Sequence, residues 1–223
     1  KEQEKQSLLL EVAQENEWLK RNMVVLARTR GFTTTMVSNQ YAVKFQSFAT
    51  VAGTNCCFRR GQIFYEVKID KLKGREDSAI DFTTPQLGWV TSEWLQTRSN
   101  KYESQGVGDC PFSWGLDGVR NLAFRGKRSA CDSGLDSWKE GDVIGCLADL
   151  DKKVLRFGVN GNWAVAVEFT GIEFGSSSGL APALTANYSE FTFNFGNRDW
   201  HFGPPAPGTA RPVLQALADL NNA

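Results

Sequence analysis

Hydrophobic residues fall into short runs from Phe32 onward, and Gly, Asn, Asp and Ser separate the runs. Several runs recur roughly every 8–15 residues, near the spacing of an all-β sandwich. The second half of Ile63–Ile69 alternates apolar and polar positions, as a half-buried strand does. By contrast, Val143–Ala148 is almost entirely apolar, which suits a strand buried on both faces. The pattern predicts an all-β domain.

Turn residues mark one hairpin and the end of the sheet region. Asn160-Gly161 separates two apolar runs, 154–159 and 164–169, and this dipeptide favours a type I′ turn because both residues tolerate positive φ. Leu180–Ala186 and Glu190–Phe195 are predicted to be the last two strands.

The two ends of the chain have a different pattern. Residues 3 to about 29 contain no Gly or Pro and are rich in Glu, Gln, Lys and Leu, which predicts a helix ending near Gly31. This helix could pack on its own domain, form a coiled coil, or end a preceding helical region. The expected division is an N-terminal helix over 1–31, a β-sandwich over 32–203, and a Pro/Gly linker with the start of a helix over 204–223. The first residue is not Met, so we expect a piece of a longer, multidomain protein.

Charge and composition exclude some classes of binding partner. Lys plus Arg and Asp plus Glu both number 25, so there is no electrostatic case for nucleic acid or an anionic membrane. No run approaches about 18 apolar residues, so membrane insertion is not expected. The basic clusters Arg59-Arg60 and 125–128 are interpreted as solvated turn faces. Five cysteines without metal-site spacing favour reduced thiols in a cytoplasmic protein.

Few residues are available for catalysis or metal binding. His201 is the single histidine, which excludes most histidine-based metal sites and leaves at most one imidazole base. Asp149 and Asp151 could form a carboxylate pair for a metal, but their place at a predicted hairpin turn favours a structural role. We expect no enzyme activity, no cofactor and no metal.

An ordered set of short motifs carries a family resemblance. The set consists of Tyr65-Glu66-Val67, Gly88-Trp89, Ser113-Trp114-Gly115-Leu116-Asp117-Gly118, residues 138–146, Asp149-Leu150-Asp151, residues 157–161, Leu180-Ala181-Pro182-Ala183 and Phe193-Asn194-Phe195-Gly196. In this order and spacing the chain resembles a SPRY domain of the B30.2/SPRY group over about residues 40–200. The motif residues expected to be structural are Trp89, Trp114, Trp138, Asp142, Gly145, Asn160, Gly161 and Phe195.

The resemblance implies a fold and a general role. The fold is a bent sandwich of two antiparallel sheets, a concanavalin-like jelly roll, here with flanking helices at both termini. Such domains recognise proteins or short peptides through loops at one end of the sandwich, in ubiquitin-ligase adaptors, innate-immune factors, ryanodine-receptor channels and histone-methylation complexes, and have no catalytic residues of their own. No Leu-Asp-Pro signature precedes Tyr41, so the plain SPRY form fits better than the tripartite-motif form.

The same resemblance suggests partner-binding residues. Tyr102 stands eleven residues before Ser113 and is similar to a pocket tyrosine of the peptide-binding SPRY/SOCS-box proteins. The loop between the last two strands contributes Asn187 and Tyr188, and the loop before the Tyr-Glu-Val strand contributes Thr54 and Asn55. That loop has no basic-proline-x match and the chain has no SOCS box, so a different peptide specificity is expected.

Three functions remain open at this point. The first is a non-enzymatic protein-interaction module or scaffold. The second is an architectural domain of a large assembly (a channel, ubiquitin ligase or scaffold), with helix-mediated contacts to its own parent chain and no separable ligand. The third is lectin-like carbohydrate binding on an exposed tryptophan, for which the candidates are Trp94, Trp163 and Trp200.

Overall fold

The computed structural model describes residues 6, 14, 22–31, 34–37, 41–72, 85–97, 105–126, 128–130, 137–175 and 178–222. The first sheet has seven antiparallel strands. In spatial order these are β1 (Leu26–Gly31), β4 (Ala49–Gly53), β13 (Leu180–Ala186), β6 (Gln86–Thr91), β7 (Ser113–Asp117), β8 (Leu122–Phe124) and β9 (Arg128–Ala130).

The second sheet has eight strands. Seven follow the order β12 (Asn162–Thr170), β11 (Val154–Val159), β10 (Val143–Asp149), β5 (Gln62–Lys71), β14 (Glu190–Asn194), β3 (Ala42–Phe45) and β2 (Thr34–Val37). The eighth, β15 (Arg211–Pro212), pairs in parallel with β5. Two short helices, α1 (Ser92–Gln96) and α2 (Val213–Asn221), complete the described elements. No described helix has the length and apolar composition needed to cross a bilayer.

The core lies between the two sheets and is rich in aromatic rings. Tyr65 on β5 packs edge-on against Trp89 on β6, with 5.0 Å between ring centroids, and its hydroxyl donates to the Gly88 carbonyl. The Phe193 ring, on β14, stacks against Tyr65, and the Phe195 ring stacks against Phe193. Because these rings come from both sheets, the predicted all-β sandwich of two antiparallel sheets is confirmed.

Two local predictions also hold. Asn160 and Gly161 both have positive φ, +51° and +75°, as a type I′ turn between β11 and β12 requires. Every residue of β10 is buried, because the core covers one face and aromatic side chains cover the other. Among these, Trp163 lies over Gly145, where an added Cβ would stand 2.7 Å from its ring.

The predicted N-terminal helix extends too far. Asn22 is helical, but residues 23–25 leave the helix and Leu26–Gly31 forms an edge strand. This segment pairs with β4 from Leu26 opposite Gly53, so tertiary pairing overrides its local helix propensity. The prediction of helix over 26–29 is therefore wrong, and the first sheet begins before residue 32.

The C-terminal segment packs against the sandwich. Val213, Leu214, Ala216 and Leu217 of α2 are buried in the main core, and the Leu214 N–H donates to the Phe195 carbonyl. The region expected to be a linker leads directly into the β5-paired strand β15. The core thus includes residues on both sides of the predicted 32–203 range.

Candidate functional site

Two of the connections between the sheets lie side by side at one end of the sandwich. The β13–β14 connection, residues 187–189, passes from the first sheet to the second, and the β3–β4 connection, residues 46–48, passes back beside it. The Phe45 N–H donates to the Ser189 carbonyl, which joins the two connections. We call this region, with Gln86 and residues 105–109, the Tyr188 end.

Tyr188 is the most exposed ring in this region. Its side chain is 51% exposed. Its backbone has φ +49°, a left-handed conformation that residues other than Gly, Asn and Asp seldom adopt. The turn is fixed on both sides, because Ser189 donates from its hydroxyl to the Asn187 carbonyl and is itself fully buried. The backbone therefore presents the ring to solvent from a well-held turn.

A polar network fixes the neighbouring segment 105–109. The Asp109 carboxylate accepts from the Gln86 amide at 2.9 Å and from the Gly106 N–H at 2.6 Å. The Val107 N–H donates to the Thr185 hydroxyl, which also shares a 2.7 Å hydrogen bond with Thr50. These contacts tie the segment to β6 and β13 through side chains rather than a strand ladder.

Two buried amide oxygens in this region have no partner among the described residues: Gln105 Oε1 and Asn187 Oδ1. A buried acceptor without a donor costs about 1–3 kcal/mol. Both oxygens belong to the loops that surround Tyr188, so the acceptors and the exposed ring share one end of the fold.

The predicted partner-binding residues do not all meet here. Asn187 and Tyr188 belong to the Tyr188 end, whereas Tyr102 lies outside the described residues. Thr54 and Asn55 follow β4 at its far end, because β4 runs antiparallel to β13 with Ala49 opposite Ala186. At about 3.3 Å per residue they lie roughly 15 Å from the Tyr188 end.

Thr54 and Asn55 instead hold the entry to β1. The Asn55 side chain accepts from the Val25 N–H at 2.8 Å and donates to the Met23 carbonyl at 2.9 Å. Thr54 donates from its hydroxyl to the Val25 carbonyl at 3.1 Å. Sequence reasoning missed other residues at the Tyr188 end, namely 46–48, Gln86, Gln105 and Asp109, because strand register brings them to this end.

The residues expected to be structural lie in the interior or at tight turns. Trp89, Trp114 and Trp138 are at most 3% exposed, and their indole N–H groups have no acceptor among the described residues. Asp142 accepts from the Lys139 N–H and from the Asn160 amide, each at 2.9 Å, so it orders the turn before β10 and joins it to the hairpin turn.

The tryptophans considered for carbohydrate binding are unsuitable or partly covered. Trp94 is 1% exposed, so it offers no stacking platform and that expectation is wrong for this residue. Trp163 lies over Gly145 and Gly158, and Trp200 packs against Phe64 with 4.9 Å between centroids. No group of three or more His, Cys, Asp or Glu among the described residues is placed to hold a metal ion.

A groove of about 670 Å³ lies at the other end of β6, beside Phe112, Arg125 and Phe174. Two of its charged groups, Arg125 and Glu93, have protein partners. The Arg125 guanidinium donates to the Thr170 and Gly171 carbonyls, and the Glu93 carboxylate accepts from the Ser178 hydroxyl. Because Thr91 lines this groove and Gln86 lies at the opposite end of β6, the groove is separate from the Tyr188 end.

The architecture is that of an antiparallel β-sandwich whose inter-sheet loops carry an exposed aromatic and polar surface. Residues 62–198, more than half of the chain, match a sequence model of the family described as SPRY domain. The chain belongs to the SPRY domain family, whose members are generally protein-interaction modules rather than enzymes.

Individual relatives agree with this assignment. The E3 ubiquitin-protein ligase RKP of Arabidopsis thaliana is 35% identical over 147 residues, which is 65% of this chain and 10% of that protein. The chain thus spans about a tenth of that relative's length. The crystal structure of the SPRY domain of human HERC1 has a similar fold, with a TM-score of 0.53 at 12% identity, covering 76% of this chain and 100% of that chain.

Proposed function

We propose that this domain recognises a peptide or folded protein partner through the Tyr188 end. The observation that carries the proposal is the 51% exposed Tyr188 ring, held on a left-handed turn between the two sheets. Tyrosine is enriched at interface hot spots, because one rigid ring supplies large contact area at low entropic cost. A strained backbone at an exposed aromatic also favours a functional reason for the residue.

The surrounding groups suggest how a partner would bind. The Tyr188 ring would cover an apolar side chain, while Asn187 Oδ1 and Gln105 Oε1 would accept N–H donors after small side-chain rotations. Such donors would remove the cost of two unsatisfied buried oxygens. The Asp109 network would keep segment 105–109 in place, so little ordering entropy would be lost on binding.

The larger protein gives the module a context. RKP is named as an E3 ubiquitin-protein ligase, and this chain corresponds to a tenth of it. We propose that the domain serves a cytoplasmic multidomain protein, such as a ligase, by choosing its partner, with the catalytic step residing elsewhere in that protein. Nucleic acid is not a partner in this proposal, in keeping with the zero net charge.

One observation favours an architectural role as the second candidate. The amide of Asn221, at the end of α2, donates to the Asn22 side chain at 3.2 Å, so the two flanking segments meet on one side of the sandwich. A domain whose flanks meet can be inserted into a longer chain as a rigid unit. Under this alternative the Tyr188 end would contact the parent chain.

A random peptide library displayed on phage tests the proposal. Immobilised wild-type domain should enrich a sequence motif, and Tyr188→Ala should lose it. Phe202→Ala is the matched control, since Phe202 is another half-exposed aromatic, 53% exposed, on a different face. Equal enrichment by wild type and Tyr188→Ala would contradict the proposed site, and no enrichment by wild type would favour the architectural alternative.

A further inference from the structure

The open groove of about 670 Å³ lies where Thr91 ends β6, away from the Tyr188 end. We call it the Phe112 groove, after the exposed ring at its rim. Its walls come from both sheets, because Phe112 precedes β7 and residues 173–175 follow β12. A groove of this volume is large enough to accommodate side chains of a partner protein.

Aromatic side chains are prominent among the described residues that line the Phe112 groove. Phe112 is 39% exposed, and its carbonyl accepts a 2.9 Å hydrogen bond from the Thr91 N–H, so the pairing of β6 with β7 holds the ring at the rim. Trp114 is buried in the main core, and the half-buried Phe174 packs against the same core. A ligand would therefore find aromatic surface on supports that are already rigid.

Carboxylates stand beside these rings. Glu173, directly before Phe174, is exposed. Oε2 of Glu93 accepts from the Ser178 hydroxyl, and its Oε1 faces Gly175, where an added Cβ would be 3.3 Å away. Burial alone would raise the pKa of Glu93, but hydrogen bonds, chiefly that from Ser178, hold its pKa below the ordinary value. Glu93 is therefore ionised at neutral pH, and its carboxylate can accept further N–H donors.

A cation of the chain itself already contacts this aromatic surface. The Lys153 ammonium lies 4.0 Å from the centroid of the Phe174 ring, which is the geometry of a cation–π interaction. Arg125 also lines the groove, and its guanidinium donates to the Thr170 and Gly171 carbonyls. These two hydrogen bonds give Arg125 a structural role, because they join the end of β8 to the end of β12.

An arginine side chain matches the chemistry of these groups. Its planar guanidinium can stack on an aromatic face while its N–H groups donate to a carboxylate. A ligand rich in phosphate, such as a nucleic acid, would instead be repelled by Glu93 and Glu173. A purely aliphatic segment would bury carboxylates without giving them a donor, which is costly.

We propose that the Phe112 groove binds an arginine-containing segment of a partner protein. A guanidinium of the segment stacks on the Phe112 ring and pairs with Glu173, and Glu93 attracts further positive charge. Binding here does not depend on binding at the Tyr188 end, because Thr91 and Gln86 stand at opposite ends of β6.

Fluorescence anisotropy with a defined probe tests this proposal. The probe is a fluorescein-labelled peptide of four Arg-Ser-Gly repeats, titrated with the domain in about 0.1 M salt. A second peptide has neutral citrulline in place of each arginine. Wild type should bind the arginine peptide, and it should bind the citrulline peptide at least about tenfold more weakly. Equally tight binding of the citrulline peptide would overturn the proposal, because recognition would then not require the positive charge.

Two exposed side chains of the groove provide the variants. Glu173→Lys should weaken binding of the arginine peptide at least about tenfold, because repulsion replaces attraction. Phe112→Ala should weaken it about threefold, as expected for loss of a cation–π contact at an exposed site. Since both side chains are exposed, neither change should unfold the domain, and circular dichroism checks this.

A charge-matched control separates a site from general attraction. Glu190→Lys makes the same change in charge on β14, where Glu190 pairs with Lys71 at one end of β5. The groove lies at the other end, because Thr170 is aligned with Gln62 across β11 and β10. Ten residues at about 3.3 Å each separate the two ends by roughly 30 Å. Since charges farther apart than about 10 Å are largely screened at this salt concentration, Glu190→Lys should change the affinity less than about twofold.

Two further results would overturn the proposal. One is an equal loss of affinity in Glu173→Lys and Glu190→Lys, which would show that only the net charge of the domain matters. The other is no binding of the arginine peptide by wild type at about 1 mM peptide.

The two sites fail separately in this design. Tyr188→Ala should bind the arginine peptide as wild type does, whatever the phage selection shows. Loss of peptide binding in Tyr188→Ala but not in Glu173→Lys would place the segment at the Tyr188 end and overturn the assignment to the Phe112 groove.

Discussion

The carboxylate of Glu66 on β5 accepts a 2.8 Å hydrogen bond from the backbone N–H of Gly203. The N–H groups of His201 and Phe202 donate to the same carboxylate at 2.9 and 3.0 Å. Glu66 is 1% exposed and faces away from the inter-sheet core, so the chain around residues 201–203 covers it. This single side chain holds the segment that leads into β15 and α2.

Replacing Glu66 should therefore loosen the C-terminal segment. We expect Glu66→Gln to lower the free energy of unfolding by about 2 kcal/mol, because a charged acceptor becomes a neutral one for three N–H donors. Urea denaturation measures the loss. Hydrogen exchange of the residue 201–203 amides should accelerate more than that of β10 amides.

His201→Ala is the control for this prediction. The His201 contribution comes from its backbone N–H, and its side chain is 42% exposed. Removing the imidazole should change the stability by less than about 0.5 kcal/mol, as for most surface substitutions. A loss as large as that of Glu66→Gln would show that the imidazole, 3.5 Å from the carboxylate, stabilises the segment.

Two motif glycines should differ in their tolerance of alanine. A Cβ at Gly88 would stand 2.0 Å from the Trp114 carbonyl oxygen on the neighbouring strand, so the β6–β7 pair would have to separate. A Cβ at Gly145 would meet side chains rather than backbone, the Trp163 ring at 2.7 Å and the Phe64 ring at 3.3 Å. We expect losses of more than about 3 kcal/mol for Gly88→Ala and about 1–2 kcal/mol for Gly145→Ala.

Thermal denaturation of both variants measures this difference. Trp163→Leu in the Gly145→Ala background should recover part of the loss, since a smaller side chain makes room for the methyl group. Similar losses for the two alanine variants, or no recovery with Trp163→Leu, would contradict the assigned contacts.

Local signals in the sequence were sufficient for part of the fold. The Asn160-Gly161 turn follows from two residues that tolerate positive φ, and the strands around it follow from hydrophobic runs. The helix predicted through residue 29 failed because Leu26 pairs with Gly53, a non-local contact that a helical pattern does not reveal. The role of Glu66 was likewise hidden, since its first donor lies 135 residues later.

The candidate site was only partly predictable for the same reason. Asn187 and Tyr188 were found because the resemblance assigns a loop between two consecutive strands. Thr54 and Asn55 were grouped with them, but the antiparallel register of β4 and β13 places them at the other end of the sheet. Gln105 and Asp109 could be added only once the path of segment 105–109 was known.

Buried thiols and a buried phenol should make the domain sensitive to alkali. Burial raises the pKa of the Cys56 and Cys146 thiols above the ordinary value of 9.0, and it raises the pKa of Tyr65 well above 10.0. These groups ionise more readily in the unfolded chain, so their contribution to stability is complete below about pH 9 and declines as the pH rises further.

Chemical denaturation between pH 7 and 10.5 measures this decline. Each group can contribute up to about 1.4 kcal/mol per pH unit. Cys56→Ala with Cys146→Ala should flatten the decline between pH 9 and 10, whereas Cys57→Ala, at a half-buried position, should flatten it less. An unchanged decline in the first double variant would show that the thiols ionise equally in the folded and unfolded chain.

Substitutions at Tyr188 can distinguish a role in peptide binding from a role in stability, because the backbone there is left-handed. A left-handed conformation costs a residue other than glycine about 1–2 kcal/mol, and a β-branched residue has the greatest difficulty adopting it. We therefore expect Tyr188→Gly to be at least as stable as wild type, because relief of φ +49° offsets the extra entropy of glycine in the unfolded chain. Tyr188→Val should lose about 1–2 kcal/mol.

Both variants should fail to enrich the peptide motif that wild type selects. A Tyr188→Gly domain that is much less stable than wild type would mean that the ring supports the fold, and the proposed binding role would lose its main support.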